Sequence, residues 1–167
     1  IYTGEFKTWD QVDASFPAEA ILISSPGADS GTFDYFVEAV VAPLTLNADG
    51  KADTKLGEAA VLGLEGAQFS EDDNVLVQGV EGSPYAIGYF GYAYFTENSG
   101  ALKALNIEGV EPNQEDVDNG TYPLARPLFI YSDAAILQEK PQVAAFIYFY
   151  LTNVNDNVID VGYFPAP

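Results

Sequence analysis

Ser25-Pro26-Gly27-Ala28-Asp29-Ser30-Gly31-Thr32-Phe33-Asp34-Tyr35-Phe36 joins two patterns of opposite kind. Before it, Ile21-Leu22-Ile23 lies between Pro17 and the Ser24-Ser25-Pro26-Gly27 breaker, as expected of a buried strand. After it, Phe33, Phe36, Val37, Val40 and Val41 fall at helical spacing until Pro43, which predicts a helix from about Ser30. A strand therefore hands over to a helix start through a Gly-containing loop. Such a junction suits a tetrahedral oxyanion. Roughly four backbone N–H groups lack intrahelical partners there, and the helix dipole adds about half a positive charge. Gly31 permits close approach, and Ser30 and Thr32 bring hydroxyl donors. The same Asp-Ser-Gly-Thr run is also an ordinary N-cap. Its spacing matches neither a Walker loop nor a dinucleotide fingerprint.

Outward from this junction the alternation continues. Residues 1–16 read as a strand end, a Gly turn and a small helix around Trp9–Val12, with Thr8 as N-cap. Residues 44–69, with Asn47-Ala48-Asp49-Gly50 and scattered Gly, predict a loop or an irregular hairpin. Ser70-Glu71-Asp72-Asp73 has the form of a capping box, with Ser70 accepting from the Asp73 amide and a helix running to about Val80. Gly82-Ser83-Pro84 breaks that helix. Ala86-Ile87-Gly88-Tyr89-Phe90 then reads as a strand closely approached by another backbone, and residues 92–95 turn into helix. Leu105-Asn106-Ile107 is a short strand candidate, and Pro112 is expected at the first position of a short helix ended near Gly120. Residues 122–131 are expected to be extended, with Pro123 and Pro127 marking an edge or crossover; Pro141 opens a helix through about Leu151, and residues 158–167 read as strand or coil. Strands alternating with helices predict the α/β class, without internal repeat.

Composition excludes several functions. The 167 residues are 48% hydrophobic and 14% aromatic, enough for a packed core rather than a disordered chain. Asp plus Glu number 25 against 6 Lys plus Arg, a formal charge of −19. Nucleic acid and anionic membranes would meet repulsion, and the charge is read as a solvated acidic coat. With no Cys and no His, there is no disulfide, thiolate nucleophile, Ser-His-Asp triad or ordinary zinc site. A hydrolase would have to work with carboxylates alone, and no carboxylate pair stands in a recognisable catalytic context. No metal or cofactor is expected: Glu71, Asp72 and Asp73 fail the EF-hand spacing and fit helix capping. The aromatics Tyr85, Tyr89, Phe90, Tyr92, Tyr94 and Phe95 fit core packing better than a sugar platform. No apolar run approaches the length of a membrane span, residues 143–151 being far too short.

Several segments, in order, resemble a known family. Ile1-Tyr2-Thr3-Gly4-Glu5-Phe6-Lys7-Thr8-Trp9 and Pro26 to Phe36 are similar to the phosphate-binding proteins of bacterial phosphate ABC importers. Asp73 to Val80, Ala86 to Tyr94, and Tyr122-Pro123-Leu124-Ala125-Arg126-Pro127-Leu128-Phe129-Ile130-Tyr131 resemble the variant common in cyanobacteria. The resemblance implies a periplasmic-binding-protein fold of type II, with one phosphate held between two lobes. Residues 1–7 would end an inter-lobe crossover strand and residues 8–120 would form the second lobe, a mixed sheet flanked by helices. Residues 121–167 would return to complete the first lobe. Ser30, Gly31 and Thr32 match the family's phosphate-binding Ser-Gly-Thr. First-lobe donors and an acceptor carboxylate would lie upstream of Ile1, whose abrupt start within a strand and turn leads us to expect preceding sequence. Many members place an Arg four residues before the Ser, where this chain has Pro26. Arg126, the sole Arg, either replaces that charge or pairs with surface carboxylates. Asp29 either accepts the proton of monohydrogen phosphate or orients the loop through its own backbone. The resemblance further implies a periplasmic or extracellular protein, membrane-anchored through an N-terminus if at all, with inorganic phosphate, an ABC permease and its own upstream lobe as partners. Another oxyanion, or a phosphate sensor without a transporter, is the alternative within the same fold.

Overall fold

In the computed structural model, which describes residues 1–165, Leu22–Pro26 forms β1 at the centre of a three-stranded sheet. Gln68–Ser70 (β2) and Ala86–Gly88 (β3) flank it, both parallel, with Ser24 opposite Gln68 on one side and Gly88 on the other. The strand runs on through the expected breaker because a central parallel strand is covered on both faces: Ser24 and Ser25 are buried. Pro26 is the strand's last residue, where its missing N–H costs the ladder little.

Alternation along β1 sends Ser24 and Ser25 to opposite faces. On the Ser24 face lies α4, Asp73–Glu81, whose Gly79 stands against Ser24 Oγ so closely that a Cβ would overlap it. On the Ser25 face lie Tyr89 and Phe36. Phe36 belongs to α2, Gly31–Phe36, which continues as a π-helical turn, Val37–Val41, and a 3-10 turn, Ala42–Leu44. The expected helix is present, but only its first part is α. Pro43 has no amide with which to continue the ladder, and Thr45 Oγ1, 3.2 Å from Val41 O and 3.3 Å from Ala42 O, serves carbonyls near the end. Phe33, Val37, Val41 and Val61 form the buried core, with Tyr2, Phe36, Val40, Leu64 and Phe69 packed around them.

Several sequence expectations are corrected. Within residues 44–69 the irregular hairpin is present, Leu46 and Ala52 bridging antiparallel across the Asn47–Gly50 turn, but Thr54–Leu62 is a helix, α3, where none was expected. Asp53 caps it, accepting from Lys55 N and Leu56 N at 2.9 and 3.1 Å. Residues 1–7 form no strand. Gly4, at φ 76°, donates to Ile1 O at 2.8 Å and turns the chain toward α1, Trp9–Val12, which Thr8 and Gln11 cap as a box. The N-cap of α4 is Asp72, accepting from Asn74 N, while Ser70 Oγ accepts from Asp72 N rather than from Asp73. Ser70 cannot start the helix because it is the last residue of β2. The helix expected at residues 92–95 is α5, Tyr92–Glu97.

The chain divides into two compact units, Ile1–Lys103 and a second from Ala104 onward. In the second, Leu105 to Ile107 is no strand: Ile107 pairs with Val110 alone, across Glu108 and Gly109 at φ 53° and 85°. The following helix, α6, is Gln114–Asp118, capped by Asn113, so Pro112 precedes the cap instead of occupying the first helical position. Residues 122–131 turn at Pro123 and Leu124 and then run as coil outside any strand, Pro123 and Pro127 each lacking a ladder donor. Ala134–Glu139 (α7), capped by Asp133, was not anticipated. Pro141 does open α8, Pro141–Asn157, which outruns Leu151. A 3-10 turn at Ile159–Val161 and coil follow; the expectation for the tail at residues 166 and 167 lies outside the described residues.

Candidate functional site

The C-terminal end of β1, the central strand, delivers the chain into the Pro26 to Thr32 loop. Ser30 is the N-cap of α2, in extended backbone at φ −91°, ψ 127°, and its Oγ accepts from Thr32 N at 3.2 Å. That leaves the Ser30 hydroxyl proton for another acceptor. The Ser30 amide is not available, since it donates to Gly27 O at 3.1 Å and closes a turn over Ala28 and Asp29. Of the backbone N–H groups expected to lack intrahelical partners, the turn takes up that of Ser30 and the cap takes up that of Thr32. Ser30 and Thr32 are half-buried, Asp29 and Gly31 exposed.

Behind the loop stands an aromatic support. Tyr89 OH lies 2.8 Å from Ser25 Oγ, and Ser25 Oγ is 3.0 Å from Pro26 O. Since Ser25 has one proton and gives it to the Pro26 carbonyl, Tyr89 is the donor to Ser25. Phe36 stacks on Tyr89 with ring centroids 3.8 Å apart, and Tyr2 meets both rings edge-on at 4.7 and 5.5 Å. Burial pushes the Tyr89 phenol up to about 12. Tyr2 is pushed further in the same direction by burial, and Tyr89 adds to it. These rings are packing and support, as the sequence suggested for Tyr89.

Acidic groups crowd the other side. Glu71, the first residue after β2, places its carboxylate against Gly27, and its Oε1 accepts from Asp29 N at 3.4 Å. Burial, then Asp72, then Glu71 hold the Asp73 carboxyl above its usual range. Beside α2 a shallow depression is lined by Asp34, Glu38 and Glu58 among others, a poor place for an anion. Of the site candidates, Asp29, Ser30, Gly31 and Thr32 share this one loop; Arg126 is an exposed coil residue of the second unit. Reading the sequence missed Glu71, which looked like helix capping. Only the parallel register, with Pro26 opposite Ser70, brings it beside Gly27.

The family model for the PBP superfamily domain matches residues 1–154. Protein SphX of Synechocystis sp. is 42% identical over 164 residues, covering 95% of this chain and 44% of that protein. The phosphate-binding protein PstS of Staphylococcus haemolyticus is 34% identical over 172 residues, covering 100% of this chain and 48% of its own length. A crystal structure from Planctomyces limnophilus, described as a possible phosphate binding protein, superposes with a TM-score of 0.68 at 36% identity, over 98% of this chain and 54% of that one. The chain thus spans less than half the length of these curated relatives.

Proposed function

The chain belongs to the PBP superfamily, and from that premise we propose that it is the C-terminal portion of an extracytoplasmic protein that captures inorganic phosphate for an ABC importer. The observation that carries the reading is the Ser30-Gly31-Thr32 cap at the end of a central parallel strand. Ligands of open α/β sheets bind outside the carboxyl ends of the strands, and this end presents two hydroxyl-bearing residues with Gly31 between them. Relatives named as phosphate-binding proteins support the choice of anion.

In this reading the Ser30 and Thr32 hydroxyls donate to phosphate, and Gly31 allows its approach. Asp29 takes the proton of monohydrogen phosphate or holds the loop, and Arg126 supplies a charge that Pro26 does not. Residues 1–7 and 121–167 belong to the crossovers and the first lobe, and residues 8–120 form the second lobe. The second unit carries an apolar surface that favours such completion: α8 has no buried residue, with Phe146 63%, Tyr148 72% and Phe149 65% exposed. The permease and an upstream lobe are the partners, and the protein acts outside the cytoplasm as a binder rather than a catalyst. No helix among the described residues is long and apolar enough to cross a membrane.

Calorimetric titration of the full-length protein tests this. Thr32→Ala is expected to weaken phosphate binding by about 1.5 to 3 kcal/mol, the range for hydrogen bonds to charged groups. Sulfate, with no proton to offer a carboxylate acceptor, is expected to bind far more weakly. If Thr32→Ala is silent while Arg126→Ala abolishes binding, the anion sits on a guanidinium instead.

A further inference from the structure

Two successive residues at the end of β2 grip the anion loop, Ser70 through its carbonyl and Glu71 through its side chain. Gly27 N donates to Ser70 O at 3.3 Å, and Asp29 N donates to Glu71 Oε1 at 3.4 Å. The carboxylate lies so close to Gly27 that a Cβ on that residue would overlap it. Gly27 is not in left-handed backbone, so the position uses the missing Cβ and not conformational freedom. With residues 27 and 29 both held from β2, the Ser30 amide returns to Gly27 O and the Ser30 cap is set relative to the sheet.

We propose that Glu71 is a positioning residue of the phosphate site, holding the Gly27 to Asp29 turn through its acceptor oxygen; the role rests on the phosphate reading above. The work is done by an acceptor at the right place. The negative charge opposes it, because a carboxylate beside an anion-binding loop repels the ligand. Acceptor and charge are therefore separable by substitution. Glu71→Gln keeps an oxygen and removes the charge, Glu71→Ala removes both, and Gly27→Ala leaves Glu71 in place chemically while displacing its carboxylate. Because that carboxylate is the far end of a flexible side chain, it can swing away, and the loop keeps its backbone.

The test reads two quantities in the full-length protein: affinity for inorganic phosphate by calorimetry, and hydrogen exchange of the Asp29 amide without phosphate. Glu71→Ala and Gly27→Ala are each expected to weaken phosphate about tenfold and to speed Asp29 exchange. The double variant is expected to be no weaker than either single one, since both break one contact. Glu71→Gln is expected to restore the tenfold lost in Glu71→Ala and to slow the exchange again. Equal affinity in Glu71→Ala and Glu71→Gln, or additive losses in the double variant, overturns the proposal. If the unchanged protein binds no phosphate, the functional reading fails separately. Asp29 exchange then decides on Glu71: acceleration in Glu71→Ala upholds the grip, and unchanged exchange removes it.

Discussion

Ser25 and Tyr89 are where a single contact ties the sheet to the loop. Tyr89 hands a hydrogen bond to Ser25, which hands one to the Pro26 carbonyl just before the candidate site. Burial pushes the Tyr89 phenol up to about 12, against about 10 for an unburied phenol. Between those values the folded protein keeps a proton that the unfolded chain has lost. The stability this contributes is complete below about pH 10 and is lost as pH rises toward about 12. Melting temperature is expected to fall through that window, and to fall less steeply in Tyr89→Phe. The same variant is expected to cost about 1 kcal/mol at neutral pH, read by denaturant unfolding, for the lost hydrogen bond. At this scale the sequence was legible where the contact is local. Ser30 caps Thr32 two residues on, and the cap could be read from Asp-Ser-Gly-Thr. The Glu71 contact was not, because its partners Gly27 and Asp29 are brought to it by strand pairing, not by chain proximity.

Among the elements, glycine separates what was read from what was missed. The scattered Gly of residues 44–69 suggested a loop, yet Gly57 lies inside α3 because the helix packs very close to its neighbour. A Cβ there would stand 3.1 Å from Val37 Cγ1 and 3.2 Å from Ala42 N. Local propensity disfavours Gly in a helix, and the close approach overrides it. Gly88 was read correctly as a strand residue approached by another backbone. Its Cβ would lie 2.8 Å from Val80 Cγ2 and 3.0 Å from Ser24 O. Gly88→Ala is therefore expected to cost about 1 to 3 kcal/mol in denaturant unfolding, since the strand backbone cannot give way as a side chain can. Gly100→Ala, with nothing near its Cβ, is expected to stay within about 0.5 kcal/mol of the unchanged protein. Equal losses in the two would remove packing as the reason for Gly88.

Over the whole molecule, charge sets the response to salt. Twenty-five carboxylates face six cations, and the Lys7–Glu65 pair, at 3.9 Å, is highly exposed on both sides. Repulsion across such a surface destabilises the folded chain, and salt shortens its reach from about 30 Å at 0.01 M to about 8 Å at 0.15 M. Melting temperature is expected to rise over that range of sodium chloride; a fall would mean that attractive pairs outweigh repulsion. On the proposed reading, phosphate affinity is expected to hold or improve over the same range, because salt screens the acidic coat that repels the anion more than it weakens hydrogen bonds in direct contact. The sequence by itself determined the α/β class, the strand-to-helix junction at Ser30, the helix starts at Trp9, Tyr92 and Pro141, and the exclusion of His and Cys chemistry. Those follow from side-chain periodicity, capping residues and composition, all carried within a few residues of each other. Only the tertiary structure decided that β1 is central, that residues 54–62 are helical despite Gly57, and that the Glu71 carboxylate accepts from the Asp29 amide. Each depends on which distant segments become neighbours, and strand register and close helix packing are settled by burial of the assembled surfaces.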